Sequence, residues 1–186
     1  MILAVDIGNT TIGIGVLAQE EIKASWRIQT NRYRLADEYA AIICELLRIH
    51  EIPRSDFEGI IISSVVPSVL SELVSMSERY FHITPIVVSA KEKLGVELRC
   101  DYPEEVGPDR ITTAAGAYQV YGGPLIVADF GTATTFDAVS ADGAYLGGAI
   151  SPGIQISMEA LFDRTALLRR IDLSPPPNVI GKNTND

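Results

Sequence analysis

Apolar and polar residues change rhythm several times along this 186-residue chain, and each change marks a predicted element. Ile12, Ile14 and Val16 alternate with Gly13 and Gly15, the period of two that a strand imposes. Neighbouring runs extend the reading to three strands, over 2–8, 11–18 and 22–30, with a turn at Gln19-Glu20-Glu21. From Leu35 to His50 the rhythm lengthens, and Tyr39, Ile42, Ile43, Leu46 and Leu47 form one helical stripe. Ile60-Ile61-Ile62 reads as a strand covered on both faces. Pro67 suits a helix first turn, with Val69, Leu70, Leu73, Val74 and Tyr80 following at helical spacing. Ile86-Val87-Val88 reads as a further buried strand, and Ile111, Ala114, Ala115 and Tyr118 mark another helix.

The order then begins again. Leu125 to Phe130, Ala133 to Ser140 and Tyr145 to Ile150 read as strands, with a hairpin turn at Asp142-Gly143. After Ser151-Pro152-Gly153 a helix is expected to carry Ile154, Met158, Leu161, Phe162 and Leu168. Three strands followed by a helix repeat the opening order, which predicts an α/β protein with a duplicated domain, one copy over 1–122 and a second over 123–186. The second copy lacks the later β-α-β pieces of the first, so it is expected to be incomplete.

Composition narrows the class. Apolar residues make up 47% and charged residues 21%, the balance of a globular protein rather than a disordered one. A net charge of −9 argues against nucleic acid as a partner, since phosphates would be repelled. No apolar run reaches the length of a membrane span. Two cysteines, Cys44 and Cys100, make no disulfide framework, and the expected setting is the reducing cytoplasm. Cys44 reads as a small core residue, and His50 and His82, without metal-ligand spacing, as structural.

The chemistry lies in two similar loops. Val5-Asp6-Ile7-Gly8-Asn9-Thr10-Thr11 is echoed by Ala128-Asp129-Phe130-Gly131-Thr132-Ala133-Thr134. Either alone is ordinary turn chemistry. Together they predict a clamp, because an Asp and a glycine turn at a strand end can hold a hydrated cation and present N–H groups to phosphate. Thr10, Thr11, Thr132 and Thr134 add hydroxyls without charge. Other nucleotide signatures fail: Gly13-Ile14-Gly15 is followed by Ala18 where a third glycine belongs, and Gly181-Lys182 lacks the first glycine of a P-loop.

A third segment is Tyr102-Pro103-Glu104-Glu105-Val106-Gly107-Pro108-Asp109-Arg110. Asp109 can serve as the N-cap of the helix that follows, or as the general base for a substrate hydroxyl. Arg110 can grip a substrate anion. Gly147-Gly148 and Pro152-Gly153 read as a strand end and helix entry, or as places of close approach.

These motifs, in this order and with Gly181-Lys182-Asn183-Thr184, resemble the type III pantothenate kinases of the actin, Hsp70 and sugar-kinase superfamily. The resemblance implies duplicated ribonuclease-H-like domains, with mixed sheets flanked by helices and the second domain truncated. It implies ATP-dependent phosphorylation of the terminal hydroxyl of pantothenate, the first step of coenzyme A synthesis. Asp6, Ile7, Gly8, Asn9, Thr10, Thr11, Ile12, Gly13 and Thr132 would then bind ATP, and Asp109 would accept the proton. Tyr102, Gly107, Pro108, Asp109, Arg110 and Thr184 would hold pantothenate, with Arg110 free for its carboxylate. Asp129 would bind a monovalent cation, potassium or ammonium, beside the magnesium that accompanies ATP. A homodimer is implied as well.

Pro108 stands where the family usually has a small residue, and family members continue beyond Asp186. A chain ending there is expected to be less stable and weakly active or inactive. Two other functions share these loops: a non-catalytic regulator of the same fold, and a superfamily kinase acting on a sugar or acetate.

Overall fold

The computed structural model describes residues 1–19, 21–90, 95–170 and 173–185. Glu20 of the expected first turn therefore lies outside the described residues, as does Asp186.

Alternation builds the first sheet. In β1 (Ile2–Ile7) the residues Leu3, Val5 and Ile7 are buried, and in β2 (Thr11–Ala18) so are Ile12, Ile14 and Val16. Leu3, Val5 and Ile7 stand directly opposite Val16, Ile14 and Ile12, which puts one apolar face on one side of the hairpin. β3 (Glu21–Gln29) pairs antiparallel outside β2, while β4 (Gly59–Ser64) runs parallel to β1 on its other side. β5 (Ile86–Val87) completes the order β3-β2-β1-β4-β5. Two helices cover the apolar face. α1 (Ala36–Ile49) contributes Tyr39, Ala40, Ile43 and Leu47, and α2 (Pro67–Met76) contributes Val69, Leu73 and Met76. Pro67 occupies the first helical turn, where its missing N–H costs nothing.

Two strands differ from the sequence reading. Ile60 and Ile62 are buried, but Ile61 faces the open side of the sheet, so β4 is not covered on both faces by protein. β5 is a two-residue edge strand in which Ile86 is 57% exposed and only the following Val88 is buried. A three-residue apolar run does not reveal what packs on each side of it. Cys44 is half-buried, and His50 closes α1 with its ring edge-on to Trp26, a structural role as expected.

α3 (Pro108–Tyr121) sits between the two sheets, touching β4 on one side and strands of the second sheet on the other. That sheet is an antiparallel meander of β6 (Leu125–Phe130), β7 (Ala133–Val139) and β8 (Tyr145–Pro152). The hairpin turn falls at Asp142-Gly143 as predicted, with Gly143 at φ +86°, where a side chain would be strained. Residues 97–99 run along β8, with the Tyr145 N–H donating to the Glu97 carbonyl and the Arg99 N–H to the Tyr145 carbonyl, both at 2.8 Å. A small second core gathers there from Ala114, Val139 and Tyr145, lined by Leu98, Cys100 and Val106.

α4 (Ile154–Arg164) follows Gly153 and ends where Thr165 turns extended, at φ −123° and ψ 141°. Leu168, expected on this helix, lies beyond it. The apolar residues Leu167 and Leu168 continue a helical spacing, but nothing in the backbone continues with them. Among the described residues no helix is long and apolar enough to cross a membrane.

Candidate active site

Both Asp-x-Gly loops open the first hairpin of their own sheet, and both are closed by the glycine. The Gly8 N–H donates to the Thr11 carbonyl at 3.0 Å, and the Gly131 N–H to the Ala133 carbonyl at 2.9 Å. The loops meet: the Thr10 and Thr132 hydroxyls lie 2.8 Å apart. Around that contact is a cleft of about 1220 Å³. Its floor is the uncovered face of the first sheet, with Ala4, Asp6, Gly13, Gly15, Ile61 and Ser63. The two small glycines keep that floor flat, as a face that admits a ligand requires.

Of the residues singled out from the sequence, Asp6, Gly8, Asn9, Thr10, Thr11, Gly13, Asp109, Asp129 and Thr132 line this one cleft. Ile7 and Ile12 do not offer side chains to it, because both are fully buried in the core. What they contribute is the backbone that holds the loop in register, paired Ile7 to Ile12. Tyr102 is exposed at the start of the short 3₁₀ turn Pro103–Glu105. Thr184 lines a separate cavity of about 480 Å³ with Met158, Leu161, Phe162 and Arg169. Gln155 and Glu159 of α4 border both cavities, so the two adjoin.

Asp109 is not the helix cap. Gly107 holds that position, and Asp109 stands in the first turn of α3, where its Oδ1 accepts the Arg110 N–H at 2.9 Å. This bond orients the carboxylate at the rim of the cleft. A Cβ at Gly107 would meet the end of the Asp109 side chain, so a larger residue there would make that carboxylate shift.

The cleft is acidic. Asp6, Asp109, Asp129 and Glu159 line it against the single cation Arg27. Burial, and then the charges of Asp109 and Asp129, raise the Asp6 pKa above its ordinary 3.8. Ser63, opposite Asp6 in the β1–β4 register, pulls the other way, although its buried hydroxyl makes no hydrogen bond of regular geometry. Such a lining would bind polyphosphate only together with cations, and threonine hydroxyls on loops without Lys or Arg suit that arrangement. No three acidic, histidine or cysteine side chains come together as a ready-made metal site among the described residues. A magnesium ion here would share its coordination with phosphate oxygens and water, the usual habit of that ion.

Arg110 is not free, as the sequence reading had it. Adjacent positions on a helix diverge, so while Asp109 faces the cleft, Arg110 points to the second sheet. Its Nε donates to Asp137 Oδ1 at 2.8 Å, and Nη2 lies 2.6 Å from the same oxygen. Tyr145 donates its hydroxyl to that oxygen too, at 2.8 Å. Burial opposes the charge on Arg110, but the hydrogen bond and charge of Asp137 outweigh it and hold the guanidinium protonated. Burial first and Asp137 second push the Tyr145 phenol far above its usual range, so it stays a donor.

Sequence reasoning missed Arg27, Ser63 and Asp137. Arg27 sits across from Gly13 in the β2–β3 register and could have been found by extending the hairpin pairing. Asp137 left a trace as the lone charge in the otherwise uncharged run of β7.

Two hairpins facing one cleft, each opening with Asp-x-Gly, define the actin-like ATPase and sugar-kinase superfamily. The fold is similar to the Clostridium difficile activator of 2-hydroxyisocaproyl-CoA dehydratase with bound ADPNP, at TM-score 0.55 and 13% identity over 88% of this chain and 53% of that one. An Aquifex aeolicus Ppx/GppA phosphatase matches at TM-score 0.53 and 15% identity, over 88% of this chain and 56% of that one. A Campylobacter jejuni protein described as a Baf family transcriptional activator matches at 0.52 and 19%, over 98% and 70%. Within the superfamily, a sequence model of type III pantothenate kinase matches residues 2–186. The type III pantothenate kinase of Moorella thermoacetica is 46% identical over 184 residues, covering 99% of this chain and 72% of that one. The chain belongs to the type III pantothenate kinase family, phosphotransferases whose reaction opens coenzyme A synthesis.

Proposed function

We propose that this chain transfers the γ-phosphoryl group of ATP to the terminal hydroxyl of pantothenate, with Asp109 as the base. The observation that carries this reading is the Asp109 carboxylate, held by the Arg110 N–H in the same cleft as both Asp-x-Gly loops. A base must stand within reach of the hydroxyl it deprotonates, and the loops fix where the phosphate lies. Phosphoryl transfer needs mainly alignment and charge neutralisation. Gly8 to Thr11 and Thr132 hold the phosphates from two sides. Magnesium, with potassium or ammonium at Asp129, supplies the positive charge that the lining lacks. Tyr102, Gly107, Pro108 and Thr184 border the pantothenate, and Arg110 meets its carboxylate. The enzyme works in the cytoplasm as a pair of identical chains.

ADP release with pantothenate and ATP, in potassium and then in sodium, tests the reading. Turnover should depend on potassium and fall by about 10²–10⁴ in Asp109→Asn. Undiminished turnover in sodium would remove the cation from the proposal. ATP binding without turnover under every condition would favour a regulator of the same fold.

A further inference from the structure

Arg110 and Asp137 form the most enclosed ion pair among the described residues, with side chains 14% and 3% exposed. Enclosing two charges is expensive, and such a pair is weak evidence for stability alone. Its geometry is also lopsided. Nε and Nη2 both converge on one oxygen of Asp137, and the phenol of Tyr145 donates to that same atom. Nη2, though close, has no directed hydrogen bond and is sealed from solvent. The side chain keeps 14% of its surface exposed, so any further acceptor would have to meet the donors that Asp137 leaves unused.

The surroundings are built for this arrangement. Gly148 stands opposite Asp137 in the β7–β8 register, and a Cβ there would strike the Phe136 carbonyl and lie 2.6 Å from Arg110 Nη2. Glycine at this position leaves room for the guanidinium. The Tyr145 ring lies beneath it, 5.9 Å from centroid to Cζ. Contacts from β7 and β8 thus fix the direction of a side chain rooted in the first turn of α3. A planar fork fixed along one edge can accept a second carboxylate on its remaining donors.

We propose that Asp137, oriented by Tyr145, is the positioning residue that aims the Arg110 guanidinium at the carboxylate of the substrate. The proposal rests on the reading that Arg110 meets pantothenate. It assigns the acceptor's carboxylate recognition to the second sheet, and the phosphoryl chemistry to the loops.

Steady-state kinetics of Asp137→Asn and Tyr145→Phe test it, with ATP and either pantothenate or pantothenyl alcohol, which keeps the reacting hydroxyl but lacks the carboxylate. Asp137→Asn should raise KM for pantothenate about tenfold, the usual worth of a hydrogen bond to a charged group. KM for ATP and kcat should stay within about twofold, and the preference for pantothenate over the alcohol should shrink by the same tenfold. Tyr145→Phe should shift that preference in the same direction by a smaller factor. Equal losses with both acceptors, or an unchanged preference in Tyr145→Phe when Asp137→Asn does not fold, would overturn the proposal. A wild-type enzyme that does not prefer pantothenate over the alcohol would instead remove the role of Arg110, and this proposal with it.

Discussion

The hairpin of β1 and β2 buries Leu3, Val5, Ile7, Ile12, Ile14 and Val16, whereas the hairpin of β6 and β7 buries Thr134, Asp137 and Val139. Both hairpins begin with the same Asp-x-Gly loop, yet the first rests on an apolar layer and the second on a polar one. The cause is what covers them. α1 and α2 close one whole face of the first sheet, while the second receives α3 and the stretch around Leu98. Ile126, Phe130 and Ile150 of the second sheet stay 67%, 66% and 64% exposed. Each apolar side chain fully buried contributes about 1.5–3 kcal/mol, so the first sheet carries the hydrophobic stability. The second contributes an ion pair whose worth lies in direction. One sheet supports the floor of the cleft; the other fixes the direction of the Arg110 side chain.

The largest effect should come from breaking this contrast directly. Leu73 is fully buried under the first sheet, and Leu161 on α4 is 55% exposed. Leu73→Ala should cost about 2–5 kcal/mol in urea unfolding, and Leu161→Ala less than about 0.5 kcal/mol. Similar losses for both would mean that the two regions share one cooperative core after all.

A smaller effect separates chemistry from stability. Gly107→Ala forces a methyl into the Asp109 carboxylate, which must move from the cleft rim. Misplacing a base by a fraction of an ångström should reduce kcat by about tenfold or more, with little change in melting temperature. Since Gly107 has φ −58°, alanine has no backbone objection to the site. Unchanged kcat would show that the carboxylate relaxes without loss, and would weaken the case for Asp109 as base.

The same contrast explains what the sequence made legible. Both hairpins and both loops could be read, because a period of two and a repeated Asp-x-Gly are local signals. α1 and α2 could be read from their stripes. The end of α4 at Arg164 could not, since Leu167 and Leu168 prolong the apolar spacing past the last helical turn. Nor could the exposure of Ile86, because a short apolar run carries no record of its neighbours. Arg110 and Asp137 are brought together by the packing of α3 on β7, a tertiary event with no local trace beyond one charge in an apolar strand. Pairing across sheets is therefore where sequence reasoning was weakest.

The smallest effect concerns the two loop aspartates themselves. Asp6 and Asp129 are both exposed to the cleft, but the protein packed around the Asp6 carboxylate, together with the charges of Asp109 and Asp129, raises its pKa above 3.8. A carboxylate with a raised native pKa binds its proton more tightly in the folded state, so stability falls as pH rises from about the ordinary value through the native one. Ionised Asp6 thus opposes folding at neutral pH, and the amide of Asp6→Asn removes that opposition. Thermal melts from acid to neutral pH should show Asp6→Asn gaining on the wild type as pH rises through this window. Asp129→Asn should change stability by less than about 0.5 kcal/mol throughout. Both variants should lose activity, because each removes a loop carboxylate from the cleft. If the Asp6→Asn melting temperature tracks the wild type at every pH, the crowding of carboxylates around the first loop is not a cost borne by the fold. The acidic cleft would then be stabilised in solution before any substrate brings its cations.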